Sequence, residues 1–173
     1  AVAEHLPQAD AYTQQQGLPA ARAALAAHYS QRDGEAILPE QVFVGNGVSE
    51  LISMVLQAMT NIGDEILIPA PDYPLWTAQT NLSSGRAVHY LCDESNGWQP
   101  DIADIKAKIT PRTKAIVIIN PNNPTGAVYS RDRLQQMIDL AREHGLIVLA
   151  DEIYEKVMYS GEHVNAASLT GDD

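Results

Sequence analysis

Short continuous apolar runs alternate along this chain with longer segments whose apolar residues recur every three or four positions. The continuous runs are "QVFVG" (41–45), "DEILIPAP" (64–71), "RAVHYL" (86–91), "KAIVII" (114–119) and "LIVLADE" (146–152). They are rich in Ile, Val and Leu and mostly end at Gly, Pro or an acidic residue, which predicts strands. The periodic segments predict helices over "LPAARAALAAHY" (18–29), "VSELISMVLQAM" (48–59), "YPLWTAQTNL" (73–82), "DIADIKAKI" (101–109) and "SRDRLQQMIDLAREHG" (130–145). Pro19 suits the first turn of the first of these, Ser130 can cap the last, and Gly145 sits where a C′ glycine belongs. "DESNGW" with the "QPD" after it reads as a solvated loop, and "TGDD" as a solvated end. Strands without alternation, separated by helices, imply a mostly parallel sheet with helices on both faces. The fold class is α/β.

In such sheets ligands sit beyond the carboxyl ends of the strands. Four strand-to-helix junctions are therefore of interest: "GNGVSE", "PAPDYP", "NPNNPTG" and "ADEIY". In "GNGVSE", Gly45 and Gly47 permit a tight turn into a helix whose first amides, at Val48 and Ser49, with the Ser49 hydroxyl, can form an anion site. A tight connection capped by Ser49 fits the same residues. In "ADEIY", Asp151 and Glu152 place at least one carboxylate at the sheet edge, able to pair with a cationic ring nitrogen or a metal, or simply to cap a helix. Tyr154 can face the same pocket or pack. In "NPNNPTG" the prolines restrict Asn120 and Asn123 to extended conformations, so an amide on this turn is either a preorganised donor or part of a rigid loop without a ligand.

Composition narrows the partners. Apolar residues make up 45% and charged residues 19% of the 173 residues, and the formal net charge is −11. That balance suits a soluble globular protein and argues against nucleic acid or an anionic membrane surface as a partner. A single cysteine, Cys92, excludes an internal disulfide and a multi-cysteine metal site. No two histidines have ligand spacing, so no metal site is expected. No run is long enough to span a membrane and no signal-peptide pattern opens the sequence, so a cytoplasmic, reducing compartment is expected. His28, His144 and Trp76 read as structural, Trp76 as core.

Five motifs in order, "YTQQQGLPAARAAL", "GNGVSE", "PDYPLW", "NPNNPTGAVYS" and "ADEIYEKVMY", resemble the fold-type-I, pyridoxal-5′-phosphate-dependent aminotransferases of classes I and II. The resemblance runs from about Tyr12 to about Tyr159. The wordings "GNGVSELI", "PAPDYPLWTA" and "HYLCDE" look closest to the bacterial glutamate–pyruvate (alanine) aminotransferases within that family. It implies that Val48 and Ser49 bind the cofactor phosphate, that Tyr73 stacks on the pyridine ring, and that Asp151 pairs with the ring nitrogen. It implies further that Asn123 and Tyr154 reach the ring oxygen, Asn123 lying beside the substrate carboxylate. Tyr12 resembles a tyrosine that reaches the phosphate of a neighbouring subunit, which implies a homodimer. The substrates implied are small amino acids and 2-oxo acids.

One departure changes the expectation. The family's chemistry uses a Schiff-base lysine in a serine-rich S-x-S-K-like motif, further beyond the "DEIY" aspartate than this sequence extends. The four lysines present, Lys106, Lys108, Lys114 and Lys156, lack that motif. The substrate-carboxylate arginine and the segment preceding Tyr12 in the family are also missing. The expectation is a lead-in segment (1–17) followed by a partial large domain (18–173), inactive by itself. Two other classes share these motifs: another fold-type-I enzyme, such as a carbon–sulfur lyase or an aminocyclopropane-carboxylate synthase, and an aminotransferase-like ligand-sensing domain of a transcriptional regulator. A pyridine-nucleotide dehydrogenase is disfavoured, because no G-x-G-x-x-G follows a strand.

Overall fold

A computed structural model describes residues 2–6, 12–34 and 36–170. The expected lead-in segment lies partly outside the described residues, as does most of the "TGDD" end. The chain forms two compact units, Ala1–Asn46 and Gly47–Asp173.

The smaller unit contains helices α1 (Val2–His5) and α2 (Pro19–Asp33). Pro19 starts α2 as the sequence predicts, and Gly34 ends it in the left-handed conformation (φ 77°). Arg22, buried on α2, organises the loop behind it. Its guanidinium donates to Pro39 O at 2.8 and 3.0 Å and to Val42 O at 3.1 Å. The expected strand at 41–45 is not one. Residues 39–41 form a short 3₁₀ turn that Val42 N–H closes on Pro39 O at 3.1 Å, and residues 42–45 form no strand, Val44 N–H instead donating to Gln16 O at 2.9 Å. Arg22 takes the Val42 carbonyl, which a neighbouring strand would otherwise use. Gly17 is required beside this segment: its φ is +105°, and a Cβ there would lie 2.7 Å from Val44 Cβ.

The larger unit is the α/β body. Helices α3 (Val48–Met59), α4 (Pro74–Leu82), α5 (Ile102–Lys108) and α6 (Arg131–Glu143) alternate with strands β1 (Glu65–Ala70), β2 (Arg86–Asp93), β3 (Gln99–Pro100), β4 (Thr113–Ile119) and β5 (Ile147–Asp151). Among the described residues the sheet order is β3-β2-β1-β4-β5. β2, β1, β4 and β5 are mutually parallel, and β3 alone pairs antiparallel, with β2. β3 lies in the stretch expected to be a solvated loop. Gln99 anchors it by donating to Val128 O and accepting from Ser130 N.

The period of two along each strand feeds two apolar layers. Leu67, Ile116 and Ile118 join Tyr90, Leu134, Met137 and Ile138 in one layer. Ile66, Ile68, Val117 and Ile119 join Ile52, Leu56 and Trp76 in the other. Both faces are covered, which is why the central strands read as unbroken apolar runs. Ser130 and Gly145 act as predicted, Ser130 Oγ accepting from Arg133 N and Gly145 having φ 63°, and the Asp101 carboxylate caps α5 by accepting from Ala103 N and Asp104 N. No described helix is long and apolar enough to cross a membrane.

Candidate functional site

The chain leaves β1 for β2 on one side and later enters β4 on the other. The carboxyl ends of β1 and β4 therefore flank the point where strand order reverses, where open α/β sheets bind ligands. A cleft of about 130 Å³ lies there, lined by Val48, Tyr73, Ile119, Asn123, Asp151, Ile153 and Tyr154. Five residues singled out from the sequence thus come together from four separate segments. Ser49 is exposed on the first turn of α3 and is not among the lining residues. Tyr12 belongs to the smaller unit and is fully exposed.

Each lining residue is delivered by a local cause. Gly47 is the N-cap of α3 at φ 81°, a conformation that favours glycine, and has no side chain with which to cap the helix. The positive end of a twelve-residue helix therefore begins at Val48, on the cleft. Gly45 does not share this conformation; of the two glycines only Gly47 has positive φ. No strand leads into the turn, so the first of the four junctions is a coil-to-helix connection.

After β1, Pro74 opens α4 and leaves Tyr73 at its N-cap, where it lines the cleft. After β4, "NPNNPTG" closes on itself. Asn122 N donates to Ala127 O and Gly126 N to Asn122 O, both at 2.8 Å. The three asparagines divide the work. Asn120, 1% exposed, accepts from Tyr129 N at 2.9 Å through Oδ1. Asn122, 4% exposed, accepts from Thr125 N and Thr125 Oγ1 at 3.2 and 2.8 Å and donates, over longer distances, to Tyr129 Oη and Pro71 O. Asn123 makes no hydrogen bond within the described protein and lines the cleft. The peptide bonds before Pro71, Pro121 and Pro124 are cis.

At the end of β5, strand alternation separates the two acids of "ADEIY". Asp151 is 5% exposed and lines the cleft. Glu152 instead accepts from Ala166 N at 2.8 Å and stands 3.6 Å from His163 Nε2. Glu152, Glu155 and His163 bring one ligand atom each within 4.8 Å of one another, a grouping that the sequence spacing did not suggest. The chain then enters a turn over residues 153–156 rather than a helix. Trp76, expected as core, is 3% exposed and does sit in the core. It also donates its indole N–H to Asp151 Oδ2 at 3.0 Å, a bond across 75 positions that no local pattern foretold.

Beneath the site, Tyr90, Cys92 and Tyr129 form a buried polar seam. Tyr90 Oη donates to Val117 O at 2.8 Å, and Cys92 Sγ lies 3.7 Å from Tyr129 Oη. Burial raises the pKa of all three, so none ionises near neutrality.

The donor set fits a planar, positively charged heteroaromatic ring that carries an oxygen substituent and a phosphate. The cleft offers a buried carboxylate that could meet a ring cation, an amide and a phenol that could meet the oxygen, and a helix N-terminus that could meet the anion.

The sequence matches the aminotransferase class I and II family over residues 3–172. It is 56% identical to a glutamate-pyruvate aminotransferase of Escherichia coli, over 99% of this chain and 42% of that protein. It is 56% identical to an alanine aminotransferase of Mycobacterium tuberculosis, over 99% of this chain and 40% of that protein. The fold superposes on the alanine aminotransferase of Pyrococcus furiosus with a TM-score of 0.94 at 40% identity, over 98% of this chain and 44% of that structure. The chain thus spans about two fifths of the length of the relatives it matches. On the family match and these likenesses, this chain belongs to the class I and II aminotransferases.

Proposed function

We propose that this chain is the cofactor-binding part of a pyridoxal-5′-phosphate-dependent aminotransferase that moves an amino group between a small amino acid, alanine or glutamate, and a 2-oxo acid. The observation that carries the reading is the convergence of Val48, Tyr73, Asn123, Asp151 and Tyr154 on one cleft at the strand-order reversal. The alanine and glutamate preference is supported by the names of the E. coli and M. tuberculosis relatives.

In this reading the Asp151 carboxylate pairs with the ring nitrogen and favours its protonated form. Asn123, with its amide free, and Tyr154 donate to the ring oxygen. Asn123 also borders the substrate carboxylate. Tyr73 covers one ring face, and the first turn of α3 at Val48 and Ser49 takes the phosphate. When bound, pyridoxal phosphate supplies the electron sink that stabilises negative charge at the amino acid Cα. None of the four lysines lines the cleft. The chain by itself therefore binds the cofactor reversibly and does not transaminate. In the working protein, a homodimer in the cytoplasm, Tyr12 reaches the partner's phosphate.

Incubation with pyridoxal phosphate, borohydride reduction and peptide mapping by mass spectrometry test this. Reversible binding without a specific lysine adduct is expected. A single stoichiometric adduct, at Lys156 for example, would contradict the assignment of this chain as lacking its covalent lysine.

A further inference from the structure

We infer that Trp76 is a positioning residue for Asp151, its indole N–H fixing the rotation of the carboxylate that meets the cofactor ring. The inference rests on the proposed pairing of Asp151 with the ring nitrogen. The backbone of Asp151 is held independently of Trp76: it is in register with Ile119 of β4, and its carbonyl accepts from Asn120 N at 3.0 Å. What the strand does not determine is the side-chain torsion. Only one short donor reaches that carboxylate among the described residues, Trp76 Nε1 at 3.0 Å on Oδ2. Oδ1 receives only Ile153 N, at 3.4 Å. Both partners are buried, at 3% and 5% exposure, so neither is satisfied by bulk water and each is the other's compensation.

Trp76 is suited to this role because it is itself immobilised. It lies in the apolar layer with Ile52, Leu56 and Val117. Its backbone N–H donates to Tyr73 O at 3.0 Å, so one turn of "PDYPLW" sets both the ring-facing Tyr73 and the anchor of Asp151. Phenylalanine or leucine would fill the same layer but offer no donor. A carboxylate with one oxygen pinned keeps the other for a cation in the cleft, and it loses little rotational freedom when that cation arrives.

The test is a double-mutant cycle on the 173-residue chain, with Trp76→Phe, Asp151→Asn and both together, titrated with pyridoxal 5′-phosphate and with its 1-deaza analogue, which lacks the ring nitrogen. Trp76→Phe should weaken pyridoxal phosphate by about tenfold, the scale of one charge-assisted hydrogen bond. It should change nothing further in the Asp151→Asn background and should leave the deaza analogue's affinity unaltered. An equal loss in both backgrounds, or for both ligands, would mean that Trp76 acts through general packing and would overturn the inference. If Asp151→Asn itself leaves pyridoxal phosphate binding unchanged, the pairing on which the inference rests is overturned. Should Trp76→Phe fail to fold, the indole N–H resonance of Trp76 in the unaltered chain decides. Pyridoxal phosphate should shift it more than the deaza analogue does, and equal shifts would overturn the inference.

Discussion

Alanine at Asn122 and alanine at Asn123 should give opposite phenotypes from adjacent positions. Asn122 holds the turn after β4 with two bonds of ordinary length from Oδ1, to Thr125 Oγ1 at 2.8 Å and Thr125 N at 3.2 Å, and two long ones from Nδ2, at 3.4 and 3.5 Å. At about 1 kcal/mol net for each ordinary bond, with a smaller sum for the long pair, Asn122→Ala should cost about 2–3 kcal/mol. In a chain of this size that lowers Tm by roughly 4–12 °C. Asn123 has no hydrogen-bond partner among the described residues, so Asn123→Ala should change stability by less than about 0.5 kcal/mol. It should nevertheless weaken pyridoxal phosphate binding. Thermal and urea unfolding, read beside a titration with pyridoxal phosphate, measure both quantities on the same samples. The reasoning fails if Asn123→Ala destabilises as much as Asn122→Ala, or if Asn123→Ala leaves ligand affinity intact.

Three further outcomes follow from the structure. Burial would raise the Asp104 carboxyl, but the Lys108 ammonium and the Leu91 N–H outweigh it and hold its pKa below the usual carboxylate range. Asp104→Asn should therefore cost about 1 kcal/mol at neutral pH, and the difference from the unaltered chain should shrink to nothing as pH falls through the native carboxyl pKa; a difference that persists in acid would refute this. Cys92 is buried with its thiol pKa raised, so a thiol reagent at mildly alkaline pH should label the native chain far more slowly than the urea-unfolded chain. Equal rates would place Cys92 at the surface. Ile118→Ala, at a fully buried position of β4, should cost about 2–5 kcal/mol in urea unfolding, and a cost under 1 kcal/mol would mean that this layer is not tightly packed.

Most of the larger unit was legible because its patterns are local. The α3 and α6 stripes and the unbroken runs of β1 and β4 each express burial within a few residues, and the Ser130 cap is a local choice of residue. The convergence of three loops at one sheet edge follows from parallel strands alone. Contacts between distant segments were not legible. "QVFVG" has strand chemistry but no neighbouring strand among the described residues, and Arg22 takes the Val42 carbonyl instead. β3 is two residues held by the Gln99 side chain, with no periodicity to detect. Trp76 was expected as core because an indole's apolar body gives the same signal whether or not its N–H reaches a carboxylate. The choice between Asp151 and Glu152 also needed the strand's register, which turns one acid into the cleft and leaves the other with Ala166 and His163.

The central claim is that one cleft binds pyridoxal phosphate through Asp151 and Asn123, and titration calorimetry tests it most directly. The unaltered chain, Asp151→Asn, Asn123→Ala and a control at Lys106, which lies on α5 and does not line the cleft, should be compared. One site per chain is predicted, weakened by the first two substitutions and untouched by the third. Absence of binding, or binding that none of the cleft substitutions alters, would contradict the account.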